Sequence, residues 1–146
     1  MINRILVPID GSENANKAPV FACHSAEKFD GDVFLLHAAD PPAEERYLAM
    51  GSSIASMDAA RRAIEESGQQ IVDNAIAVVE SHQCKPKRSD VVIGDATEEI
   101  LLFSKQHLVD AIVIGSRGLS TFSNMLLGSV SHKVGNLAEC TCVTVR

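Results

Sequence analysis

Two groups of residues in this chain have the types and spacing for anion and sugar chemistry. The first is Gly115-Ser116-Arg117-Gly118, followed after nine residues by Gly128-Ser129-Val130-Ser131. Glycines let backbone N–H groups approach an anion closely, and a helix start adds N–H donors without intrahelical partners and the positive end of the peptide dipole. Arg117 is the one cation in this group. The second group is Val7-Pro8-Ile9-Asp10-Gly11-Ser12, with a carboxylate at the end of an apolar run. An ionised carboxylate only accepts hydrogen bonds, so Asp10 suits a ribose hydroxyl and not a phosphate. Each group also has a plain structural reading. Asp10 could cap the first helix, Ser129 the last one, and Gly128 could simply turn the chain.

Other chemistries find little support. A Walker loop (GxxxxGK followed by Ser or Thr) and a dinucleotide fingerprint (GxGxxG after the first strand) are both missing. There is no Ser/His/Asp arrangement, no paired carboxylates with an obvious task, and no metal-ligand spacing, so no catalytic residue and no protein metal ligand is assigned. His24, His37, His82 and His107 are scattered singly and read as packing or surface residues. Cys23, Cys84, Cys140 and Cys142 form neither CxxC pairs nor a dense disulfide pattern, and are expected to be reduced. Cys140 and Cys142, two apart near a strand, should share one face as small apolar residues.

The elements that must position these groups follow from periodicity. Runs rich in Val, Ile and Leu at 2–9, 32–37, 89–93, 110–114 and 141–145 predict five strands. Helical spacing predicts helices over 14–29, 57–82, 97–107 and 129–138. In the second, Met57, Ala60, Ile64, Ile71, Ala75, Val78 and His82 make the apolar stripe. Such alternation gives one doubly wound α/β domain over 1–146: a parallel sheet with helices on both faces. Ligands in such sheets sit at the carboxyl ends of the strands where the winding reverses, which directs attention to the loops after the first and fourth strands. The irregular stretch 40–56 is a candidate flap.

Composition bounds the function. The chain has 146 residues, a formal charge of −6, 46% hydrophobic and 22% charged residues. That suits one aliphatic-cored domain and disfavours nucleic acid or an anionic membrane surface, both of which need basic patches. Lys85-Pro86-Lys87-Arg88, the densest basic run, reads as a solvated connection. Neither a signal peptide nor a run of about 18 apolar residues is present, so a cytoplasmic protein is expected.

GxxG, nine residues, then Gly-Ser resembles the ATP-binding signature of the universal stress protein family. The likeness spans the chain: Ile5-Leu6-Val7-Pro8-Ile9-Asp10-Gly11-Ser12 is similar to the family's opening strand, Leu35-Leu36-His37-Ala38 to its second, and Gly94-Asp95-Ala96 to its turn before the third helix. Leu126-Leu127-Gly128-Ser129-Val130-Ser131 and the final apolar strand match as well. The resemblance implies a five-stranded sheet ordered 3-2-1-4-5 with ATP at the switch between strands one and four. Asp10 would bind ribose, with Pro8 and Ile9 shaping the strand end and the backbone of Ala38 pairing with adenine. Ile114 and Gly115 would line the sugar side, Arg117 and Gly118 the inner phosphates, and Gly128, Ser129, Val130 and Ser131 the outer ones. Magnesium could bridge phosphate oxygens. Three features depart from the family pattern: Ser123-Asn124 replaces a frequent basic pair, His132 stands where many members have glutamate, and Cys140-Thr141-Cys142 replaces a proline-containing approach to the last strand. The implied function is a nucleotide-dependent stress regulator or sensor with at most slow ATP hydrolysis, dimeric through the strand at 141–145. The alternatives are a nucleotide-free dimeric interaction module and a genuine nucleotide hydrolase.

Overall fold

A computed structural model describes residues 1–12, 16–42, 54–116 and 128–146. Arg117, Gly118, the Ser123-Asn124 pair, most of the candidate flap and the start expected for the first helix lie outside the described residues. Within them the order is β1 (Arg4–Pro8), α1 (Lys17–Phe29), β2 (Asp32–Ala39), α2 (Ile54–Ser81), β3 (Arg88–Ile93), α3 (Ala96–Gln106), β4 (Ala111–Gly115), α4 (Ser129–Leu137) and β5 (Thr141–Val145). The strands form one parallel sheet, as the alternating pattern predicts, in the order β3-β2-β1-β4-β5 that the family resemblance implies.

Period-two alternation divides the core into two layers. Ile5, Val7, Ile9, Val33, Leu35 and Val113 face Ala18, Ala22, Cys23 and Ala26 of α1 and Val72, Ala75 and Val79 of α2. The intervening residues Leu6, Phe34, Leu36, Ile112 and Ile114 face the opposite way, onto Ile100 and Phe103 of α3 and Val134 of α4. Cys140 and Cys142 join this second layer, as their spacing suggested, and burial pushes both thiols up.

The stripe of α2 is shifted from the expected one. Its buried line is Gly68, Val72, Ala75 and Val79, whereas Ile64, Ile71 and Val78 are half-buried and His82 falls beyond the helix. Gly68 explains the shift. A Cβ there would lie 2.6 Å from Val91 Cγ1 and 3.0 Å from His37 Cδ2, so the absence of a side chain lets α2 press directly onto β2 and β3.

The start of α3 has a side-chain cap: Asp95 Oδ1 accepts the Glu98 N–H at 3.0 Å. At the other end of α1, Asp30 adopts a left-handed conformation (φ 53°), and the N–H groups of Asp30 and Gly31 both reach Ala26 O.

Hydrogen bonds tie the amino ends of the strands together. Asp110 Oδ2 accepts the N–H groups of Asn3 and Arg4, each at 2.9 Å, while the Asp110 N–H donates to Arg4 O at 2.9 Å. Those two N–H donors hold the Asp110 carboxyl below the usual carboxylate range. Asp32 N–H donates to Asn3 O at 2.7 Å, and Arg4 Nη1 to His107 O at 3.0 Å.

The expectation that all four cysteines are reduced is corrected. Cys23 on α1 and Cys84 after α2 form a disulfide with Cα atoms 5.7 Å apart, and Cys140 and Cys142 alone are free thiols among the described residues. The two partners are 61 positions apart in the chain, so no local spacing announced the bond; α1 and α2 packing side by side on one face brings them together.

Candidate functional site

At the carboxyl ends of the strands the sheet divides. β1 pairs with β4 over Ile5↔Ala111 and Leu6↔Ile112, but pairs with β2 as far as Pro8↔Leu36, and Ile9 N–H still donates to Leu36 O at 2.9 Å. β4 likewise keeps β5 to Gly115↔Val145, and Ser116 N–H donates to Val145 O at 2.7 Å. The two halves of the sheet therefore part between β1 and β4. Pro8 supplies a reason. Backbone polar groups alternate sides along a strand, so with the Ile9 N–H aimed at β2 the neighbouring Pro8 faces β4, and proline has no N–H to give.

Asp10 stands on the β1 rim of this opening and is half-buried. Its Oδ1 accepts the Ser12 N–H at 2.9 Å and the Ser12 hydroxyl at 2.7 Å, a side-chain turn that fixes the carboxylate. It does not cap the first helix, which begins at Lys17 with Asn16 ahead of it and no side-chain cap. Gly11 follows with φ 79°, a left-handed conformation that glycine adopts without strain, and it passes against Ile71 of α2. Behind the rim the buried ring of His37 is 2.8 Å from Ile9 O through Nδ1, and so braces the end of β1.

The β4 rim is built by α4. Gly128 N–H donates to Ser116 O at 2.7 Å, docking the helix start onto the strand end. Gly128, in extended conformation, holds the N-cap position, so Ser129 is the first helical residue and not the cap. Buried Ser131 turns its hydroxyl inward, to Gly128 O at 2.9 Å and Ser116 O at 3.4 Å. Ser129 is exposed and Val130 packs on the second core layer. The N–H groups of this first turn have no acceptor within the helix, which is what makes a helix start an anion site. His132 is exposed, with its ring beside the Asn136 amide.

The topology brings Pro8, Ile9 and Asp10 on one side, Ile114 and Gly115 on the other, and Gly128 to Ser131 behind, to one edge of the sheet. Ala38 lies on the next strand outward, paired with Val92, and Gly94 N–H closes that end by donating to Ala39 O at 2.9 Å. Arg117 and Gly118 are outside the described residues. Sequence reasoning missed Ser12, Ser116 and His37 as supports of the site; the two serines stood inside the quoted motifs, while His37 carried no signal beyond its place on a strand. No group of three or more His, Cys, Asp or Glu among the described residues is arranged to hold a metal ion.

The chain matches the universal stress protein family model over residues 1–146. It is 33% identical to a universal stress protein of Bacillus subtilis, YxiE, over all of both chains. Among solved structures it resembles a universal stress protein in complex with cAMP (TM-score 0.73, 20% identity, 99% of this chain and 97% of that one). It also resembles the universal stress protein of Archaeoglobus fulgidus in complex with dAMP (TM-score 0.69, 18% identity, all of both chains). The chain therefore belongs to the universal stress protein family.

Proposed function

We propose that this protein binds ATP at the opening between β1 and β4 and acts as a nucleotide-dependent regulator in a stress response. The observation that carries this reading is the parting of β1 from β4, with the Asp10 carboxylate on one rim and the start of α4 on the other. The fold's neighbours include one universal stress protein in complex with cAMP and another in complex with dAMP, both adenine nucleotides.

In the proposed pose Asp10 accepts from the ribose, Pro8 and Ile9 shape the sugar pocket, and the Ala38 backbone pairs with adenine. Ile114 and Gly115 flank the sugar from β4. Arg117 and Gly118 take the inner phosphates, and Gly128, Ser129, Val130 and Ser131 the outer ones. Magnesium would arrive with the triphosphate, coordinated by its oxygens and by water, because it needs few protein ligands. Hydrolysis, with no committed general base, would be slow. Action in the cytoplasm and dimerisation along the edge strand β5 complete the proposal. No helix among the described residues is long and apolar enough to cross a membrane.

Calorimetry with magnesium-ATP tests the reading, together with mass spectrometry of small molecules released from freshly purified protein. Saturable binding or a copurifying adenine nucleotide supports it. Absence of both leaves the family member as a nucleotide-free interaction module. Light scattering behind size exclusion tests the dimer, and a purely monomeric peak removes it.

A further inference from the structure

We propose that the Cys23–Cys84 disulfide is a thiol-exchange site, reached in the folded protein by a low-molecular-weight, amino-acid-derived thiol. Four observations support this. The disulfide lines a cavity of about 430 Å³ at the amino end of the sheet, away from the opening between β1 and β4. That volume suits a small organic molecule. Cys84 is half-buried, whereas Cys23 is only 4% exposed within the first core layer, so Cys84 is the more accessible of the two partners. The His24 and His82 rings, 6.1 Å apart between centroids, and Lys85 line the same cavity. Lys85, next to Cys84 in the chain, brings a positive charge beside the bond, and such a charge favours thiolate, the attacking and leaving form in exchange.

The same cavity is also lined by Glu27, Asp30 and Asp32. A thiol bearing both carboxylate and ammonium groups would find partners of both signs in this lining, which is why an amino-acid-derived thiol is favoured over an apolar one. The free thiols elsewhere differ. Cys140 and Cys142 are free thiols in the other core layer, outside this cavity, and serve as the internal reference for cysteines not in a disulfide.

The chemistry balances in two steps. The thiolate of the small molecule forms a bond to Cys84 Sγ, the Cys23–Cys84 bond breaks, and Cys23 leaves as thiolate and takes up a proton. A second thiol then attacks the small-molecule sulfur of the mixed disulfide, releasing Cys84 as thiol and the small molecule as its own disulfide. Two protein thiols are gained for two small-molecule thiols oxidised.

The test uses the intact protein in native buffer with graded reduced glutathione, quenched with iodoacetamide and read by peptide mass spectrometry. Without glutathione, Cys23 and Cys84 should be joined and unalkylated. With it, a glutathione adduct should appear first on Cys84, at a rate proportional to glutathione, followed by alkylation of both cysteines. Four results would overturn the proposal: alkylation of both cysteines without reductant, an adduct first on Cys23, a rate that saturates at the unfolding rate, or cleavage only after denaturation.

Discussion

The two ends of the sheet are built on opposite plans. At the amino ends, Asp110 bonds to Asn3 and Arg4, Asp32 bonds to Asn3, and the Cys23–Cys84 disulfide secures the α1–α2 layer nearby. Polar backbone there is satisfied by the protein itself. At the carboxyl ends the β1–β4 ladder stops two residues short of the strand end, and a helix start and a carboxylate face the gap. One end is tied together by the protein's own groups, and the other is where the nucleotide is proposed to sit. If that reading holds, stability and binding are separable by position in this fold, and substitutions should show it.

The largest effect should come from the closed end. Cys84→Ser removes a cross-link spanning 61 positions, for which loop-closure entropy predicts a loss of about 4 kcal/mol under oxidising conditions. Denaturant titration checks it, and ATP affinity of the folded variant should be unchanged. A matching fall in affinity would break the division between the two ends.

Gly68→Ala comes next and probes the middle of the molecule. Alanine in an exposed helix would add about 1 kcal/mol. Here its Cβ meets Val91 and the His37 ring that braces Ile9, so a net loss of about 2 kcal/mol is expected, with weaker nucleotide binding. A gain in thermal midpoint would show that α2 can rise off the sheet freely.

At the open end, Asp10→Asn keeps an oxygen for the Ser12 turn but removes the charge offered to the sugar. ATP affinity should fall about tenfold, some 1.4 kcal/mol, with the denaturation midpoint unmoved. Calorimetry beside denaturation separates the two readouts.

The smallest effect is Asp110→Asn at the closed end. The native carboxyl is depressed by the Asn3 and Arg4 N–H donors, so it contributes stability above the unfolded-state value of about 4 and loses it as pH falls through the lower native value. The variant should be less stable by up to about 1 kcal/mol at neutral pH, and the gap should close in acid. A gap independent of pH would mean that the carboxylate charge contributes nothing.

Much of the architecture was readable beforehand: apolar runs and helical stripes are local signals that give five parallel strands with helices on both faces and point to the ends of the first and fourth strands, while the strand order came from the family resemblance. Details set by tertiary contact were not. The disulfide joins residues far apart in sequence, the α2 stripe turned because Gly68 admits the sheet, and Asp110 read as an ordinary strand-start residue. At the candidate site the carriers Asp10 and Gly128 were legible from their types and positions. Their actual partners, Ser12 and Ser116, were visible only as companions in a motif.

Pro8 makes the gap between the halves of the sheet a matter of covalent constitution. A ladder that ends because two strands drift apart can zip closed again in a fluctuation, and a guest must then compete with that closure. Where the donor atom does not exist, no fluctuation restores the bond, so under the proposed function little of a nucleotide's binding energy would be consumed in parting these two strands.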